Sequence, residues 1–407
     1  MPLQIPDPVL GPWAKSVPPR LHGLPLSAVS GAGARLSEFG TPVLTVHEGA
    51  MAHNEATVFG WAAERGLRLA PHGKTTMAPA LWQRLIDAGA WGITVATPWQ
   101  AGVAIEAGVE RVLLANAVTD AASARRLGTH LAADPARRIL VWADAVETVG
   151  ILAEGLAGAA RPLEVLVELG GAHGRTGART VAQGEDVARA IAAAPGLRLA
   201  GVAGYEGPFG PDRSAGSVAA VDAYLERMTE LFGRILPLVD DAARPILSAG
   251  GSAWPDRVAE VFAPFADEAE VVLRSGAFQI HDDGFYSRMA PFGSAVETPP
   301  LRAAMHAWAR VVSQPEDGLA LLDAGRRDVP LDIDLPVPQG VEGEITALND
   351  QHAFLRTAQG QAVVVGQVVR LGLSHPCTAF DKWRVVPVID DPDADDPLVI
   401  GAVATCF

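Results

Sequence analysis

Lysine is scarce in this 407-residue chain. Of 32 Lys plus Arg residues only three are lysines, Lys15, Lys74 and Lys382. The sequence writes arginine wherever a generic cation serves, although base composition of the genome also explains such a bias. Positive charge is short overall: the net charge is −15, which argues against nucleic acid or an anionic membrane as a partner. Two cysteines, Cys377 and Cys406, make no disulfide framework and suit reduced thiols in the cytoplasm. No run reaches the roughly 18 apolar residues of a membrane span, and the proline-interrupted stretch 1–15 does not read as a signal peptide. No GxGxxG opens a first helix, which weakens a doubly wound dinucleotide fold. Tyrosine is rare too, at three.

What is present is a long alternation of short apolar runs with Ala-rich helical spacing. Strands are expected at 41–47, 67–72, 91–97, 111–116, 138–144, 163–169, 198–205, 245–249 and 270–275. Runs such as Val165-Leu166-Val167 are apolar without alternation, as parallel strands covered on both faces require. Strand and helix repeated this often means α/β. Leaving out the first strand gives eight, which predicts a (β/α)8 TIM-like barrel, with an open doubly wound sheet as the alternative. After about residue 290 prolines cluster and β-type alternation takes over. The expected domains are therefore a barrel at 40–290 and a mainly-β domain made of 1–39 plus 291–407.

Barrel chemistry gathers at the C-terminal strand ends. Lys74 lies there, in Pro71-His72-Gly73-Lys74-Thr75. A Schiff base needs a primary amine that can lose its proton, which guanidinium cannot do; a surface lysine at a loop is the plain alternative. Glycine-rich strand-end loops admit a phosphate because amides approach it closely where Cβ is absent. Gly250 and Gly251, between Ser248 and Ser252 and ahead of a helix-like stretch, fit best. Arg274-Ser275-Gly276 is a second such turn. An amine with a phosphate cradle suits pyridoxal 5′-phosphate (PLP). Tyr205, at another strand end, is placed to meet the pyridine nitrogen or to pack on the rim.

Far along the chain, His375 and Cys377 stand two apart. On a strand they would share a face, where imidazole and thiolate can bind one metal and leave positions open. Two residues packed in a β core would have the same spacing.

Together these motifs resemble the PLP enzymes of the D-threonine aldolase and D-serine dehydratase group, within the alanine racemase-like fold. The resemblance runs from Thr41-Pro42 through Pro71-His72-Gly73-Lys74-Thr75, Glu168 to Gly177, Tyr205-Glu206-Gly207 and Arg274-Ser275-Gly276 to His375-Pro376-Cys377. It implies that Lys74 carries the cofactor and is the catalytic base, that His72 and Arg175 contact it, Arg175 near the ring oxygen, and that His375 and Cys377 bind a divalent metal beside the substrate's β-hydroxyl. A thiolate favours zinc, with manganese the alternative. Thr76 departs from the family's frequent Lys-Thr-His. The implied activity is a lyase on D-3-hydroxy amino acids, expected to be a D-serine dehydratase-like ammonia-lyase, with D-threonine aldolase-type cleavage as the rival because Cys377 stands where those aldolases tend to carry an acid. Racemases of this fold use a tyrosine from the β domain, and none follows Tyr286. Non-catalytic PLP carriers are a barrel alone. A homodimer is implied by resemblance.

Overall fold

The computed structural model describes residues 2–172, 174–240 and 244–407; His173, in the glycine-rich turn after the 163–169 strand, falls outside them. Eight parallel strands form one sheet: β2 (Arg68–Leu69), β3 (Ile93–Val95), β4 (Arg111–Ala117), β5 (Arg138–Ala143), β6 (Leu163–Leu169), β7 (Leu197–Gly204), β8 (Ile246–Ala249) and β9 (Glu270–Leu273). Their order is 2-9-8-7-6-5-4-3, which leaves β2 and β3 as the two ends. A parallel bridge from His72 to Thr94 and the bond from Thr94 N–H to Pro71 O (2.9 Å) join those ends and close the barrel.

The connecting helices start where side chains satisfy the first-turn amides. Asp120 caps Ala121–Ala133, Thr180 with Gln183 makes a capping box for Val181–Ala193, and Ser214 caps Ala215–Ile235. Apolar side chains fill both sides of the sheet. Inside the barrel Leu113, Leu140, Trp142, Leu166, Ile246 and Val272 make a packed plug. The C-terminal rim is left hollow, as expected for this architecture. Among the described residues no helix is long and apolar enough to cross a membrane.

The first predicted strand, β1 (Val43–His47), is not part of the barrel. It pairs antiparallel with Met305–Glu316 and parallel with Val385–Ile389 in a second, nine-stranded sheet. The barrel therefore begins after residue 47, not at 40. The segment 10–39 packs on this sheet's far face, with Leu21, Val29 and Phe39 against Ile389 and Val399. The run Gly360–Leu373 contains one strand, Val368–Gly372.

A second correction concerns the His-x-Cys pair. His375 and Cys377 are not on a strand. After Val368–Gly372 the chain turns at His375, whose φ is +59°, into a 3-10 turn at Pro376–Thr378. Period-two reasoning fails there, yet the tight turn still keeps the two side chains together.

Candidate active site

The two constellations, 300 residues apart in sequence, meet. Lys74 lies in a 3-10 turn, Gly73–Thr75, just past β2. That turn packs on Pro376–Thr378, and the Thr75 hydroxyl lies 3.8 Å from the Cys377 sulfur. Between the turns and the barrel rim is a cavity of about 420 Å³. His72, Lys74, Arg175, Tyr205, Gly250, Gly251, Ser252, Arg274, Gly276, His375 and Cys377 all line it.

Ser248 does not. It is fully buried, donates its hydroxyl hydrogen to Val272 O (2.9 Å) and accepts from Arg274 Nη1 (2.7 Å). It is a partner of Arg274, not of a ligand. The glycine doublet also differs from expectation. The amide of Gly250 donates to the buried carboxylate of Glu206 (3.1 Å), and the amide of Gly251 donates to its other oxygen. A buried carboxylate needs such donors, so these two amides already have an anionic acceptor within the protein. Gly251 also leaves room, since a Cβ there would stand 2.7 Å from the Tyr205 ring, and Gly250 takes a φ of +102° that favours glycine. On the cavity wall, Ser252, Gly276 and Ala277 remain for a phosphate.

Arg274 forms the floor. It is buried, stacks over Trp142 (4.8 Å) and donates to Ser248 and Gly204 O, with Nε left unpartnered. Arg175 stacks over Tyr205 at 4.5 Å. His72 presents a buried Nδ1 with no partner. Burial, then the charges of Lys74, Arg274 and Arg175, hold His72 well below its usual range, so it stays neutral.

Burial likewise lowers Lys74; Cys377 opposes that shift while Arg175 and Arg274 add to it. The result is an amine closer to losing its proton than an ordinary lysine. Lys15 is paired with Asp328 and Lys382 with Asp381. For Cys377 burial opposes ionisation, but the hydrogen bond and charge of His375 and the charge of Lys74 bring its thiol down. His375, against its burial, is raised to about 9 by Cys377 and Asp332. A thiolate beside an imidazole is a fitting donor pair for a borderline-soft metal. Among the described residues no three His, Cys, Asp or Glu are grouped to hold an ion, so this pair would supply two ligands.

Glu168, at the end of β6, is 4% exposed; Oε1 accepts from Thr176 (2.7 Å) and Oε2 has no partner. Burial, with Asp144's charge adding and Thr176's hydrogen bond opposing, raises it to about 7. The folded chain therefore keeps this proton where the unfolded chain loses it. Stability from Glu168 is full below about pH 4.5 and falls as pH rises to about 7, by roughly 3 kcal/mol at most. Glu168→Gln should lack that slope. Urea unfolding of both proteins at pH 5 and pH 8 measures it; equal slopes would mean the carboxyl is ionised in place.

Some cavity residues were not among the expected site residues. Tyr286, on the short helix Phe285–Met289, faces the cavity and bonds Ser252 through its hydroxyl. Asn116 and Trp142 come from ends of β4 and β5. Only tyrosine's rarity pointed at Tyr286, and it lies beyond the last barrel strand.

Comparison with known proteins places these features. Residues 304–389 match a family described as "Putative serine dehydratase domain". The chain is 26% identical over 385 residues to a D-threonine aldolase of an Arthrobacter species, covering 94% of this chain and 97% of that one. It superposes on the crystal structure of D-threonine aldolase from Filomicrobium marinum with a TM-score of 0.79, at 24% identity over 92% of this chain and 97% of the other. A D-threo-3-hydroxyaspartate dehydratase from Delftia sp. HT23 superposes with a TM-score of 0.68, at 20% identity over 90% and 98%.

Proposed function

We propose that the chain, as a member of the D-threonine aldolase and D-serine dehydratase-like group of PLP enzymes with the alanine racemase-like fold, eliminates water from a D-3-hydroxy amino acid, and that the enamine so formed tautomerises to an imine that one water hydrolyses to a 2-keto acid and ammonia. The observation that carries this reading is the meeting of the Lys74 turn with the His375–Cys377 turn on one cavity. D-serine is the substrate proposed first.

The residues fit the cofactor. His72 Nδ1 and Arg274 Nε are buried polar atoms without partners, facing where a polar heterocycle would complete them. PLP, when bound, supplies an electron sink for charge developing at the substrate Cα. Lys74 Nζ would hold it, and its amine would take the substrate Cα proton; burial lowers the amine's pKa, which favours that role. Arg175, stacked on Tyr205, fixes the orientation of both planes at the rim. Tyr286, pinned on Ser252, walls the cavity between the phosphate side and the metal side.

His375 and Cys377 would hold a divalent metal, which there supplies a Lewis acid for the β-oxygen. In support, a D-threo-3-hydroxyaspartate dehydratase has been solved as variants in which a histidine and a cysteine two positions apart are each replaced, the cysteine variant in a metal-free form. The same spacing separates His375 from Cys377. Thiolate chemistry makes zinc the metal of choice.

Cleavage of Cα–Cβ to glycine and an aldehyde is the second reading, favoured by the better superposition on a D-threonine aldolase. The purified protein is given D-serine and D-threonine with PLP and zinc. Keto acid and ammonia in equal amounts are expected. Glycine with an aldehyde would replace the proposal by the second reading.

A further inference from the structure

His375 has the most constrained backbone in the cavity. Its φ of +59° is a left-handed conformation for a non-glycine residue, which costs about 1–3 kcal/mol and persists only where the surroundings over-determine it. Three aspartates surround it. The His375 N–H donates to Asp282 Oδ2 (3.1 Å). Asp282 is fully buried, and its other oxygen accepts the amides of Gly284 (2.9 Å) and Tyr286 (3.0 Å). Asp334 accepts the hydroxyl of the preceding Ser374 (2.7 Å). Asp332 takes the ring itself: its Oδ2 pairs with His375 Nδ1, and its Oδ1 accepts from Thr378 Oγ1 (3.0 Å). One carboxylate thus spans the turn from its first residue to its last.

Asp332 and Asp334 alternate with the exposed Leu331 and Ile333 in a segment bounded by Pro330 and Pro336. Both carboxylates reach the 374–378 turn. Asp332 is not on the cavity wall. It reaches the cavity through the turn it holds, directly at the His375 ring and through Thr378.

An imidazole has two inequivalent nitrogens, and the partner of one decides which lone pair the other offers. A carboxylate at Nδ1 places the proton there and leaves Nε2 as the metal-binding nitrogen. We propose that Asp332 is a positioning residue: it fixes the tautomer and rotation of His375 so that Nε2 and the Cys377 sulfur are presented together to a divalent cation. This rests on the metal reading given above. Asp282 sets where the backbone of His375 is, and Asp332 sets which way its ring faces.

The test is zinc affinity of the full-length, PLP-loaded protein, by competition with a chelating dye, for wild type, Asp332→Ala, Asp332→Asn and His375→Ala. Asp332→Ala should weaken zinc binding about 10- to 100-fold. Asp332→Asn should recover part of that loss, since an amide oxygen still accepts from Nδ1. Absorbance of the lysine-linked cofactor and the thermal midpoint in chelator should match wild type, separating positioning from folding. Wild-type zinc affinity in Asp332→Ala overturns the proposal while leaving the metal site intact. So does a loss of zinc that tracks a lowered midpoint, which would make Asp332 a purely structural contact. If His375→Ala binds zinc as wild type does, the metal reading itself fails and this inference with it.

Discussion

Lys74→Ala should lose the absorbance of the lysine-linked cofactor and fall in turnover by about 10²- to 10⁴-fold from the missing base alone. The site explains why no other group takes over. The chain has two other lysines, and each has an anionic partner elsewhere: Lys15 on Asp328, with its ammonium over Trp383 at 3.8 Å, and Lys382 on Asp381. Neither lines the cavity. Lys74→Arg makes the sharper variant. It keeps a cation among Tyr205, Cys377 and His72 but cannot form the bond or deprotonate, so it should be as inactive as alanine. Reduction of the loaded wild-type enzyme with borohydride, followed by peptide mass analysis, should find the cofactor on the peptide containing Lys74. Persistence of the chromophore in Lys74→Ala would show that the amine has been misassigned.

The barrel was readable because its strands are covered on both faces. β6 is buried along its whole length, so its centre, Val165-Leu166-Val167, is apolar without alternation. Lys74 was readable for a different reason, namely that its chemistry cannot be done by the arginines the chain otherwise prefers. The misreadings share a cause: they depend on partners that local sequence does not name. Val43-Leu44-Thr45-Val46 reads as a strand whichever sheet receives it; the count of eight barrel strands leaves it out, yet the boundary at 40 keeps it in the barrel domain, and its pairing to Met305–Glu316 places it in the second sheet. Gly250-Gly251 looks the same whether its amides face a phosphate or, as here, Glu206. Ser248 was drawn off by Arg274, a buried cation that needs acceptors. The φ of His375 has no signature in a histidine; it is imposed by Asp282 and Pro376, one of them 93 residues away in sequence. Asp332 and Tyr286 came from segments after the last barrel strand, where no periodicity marked them.

The second large effect is expected at the metal pair, and it should depend on the leaving group. Hydroxide is a poor leaving group, and a Lewis acid at the β-oxygen is what makes its departure possible. Chloride leaves without that help. Cys377→Ala, or chelation of the wild type, should therefore cut elimination from D-serine by about a thousandfold, roughly 4 kcal/mol. Elimination from D-β-chloroalanine should stay within about tenfold of wild type, because Lys74 and the cofactor contacts are untouched. Lys74→Ala should lose both reactions. The contrast also excludes the trivial explanation that removing Cys377 collapses the cavity, since the chloro substrate uses the same cavity. The structure gives a reason to expect the fold to tolerate the change: the Cys377 sulfur meets Thr75 only at 3.8 Å, while the turn is held by Asp282, Asp332 and Asp334 through residues 374, 375 and 378. Equal losses on both substrates would mean that Cys377 and His375 shape the cavity and take no part in releasing the β-oxygen. Full D-serine activity in chelator would remove the metal from the reaction, leaving His375 raised to about 9 as the acid beside the leaving group.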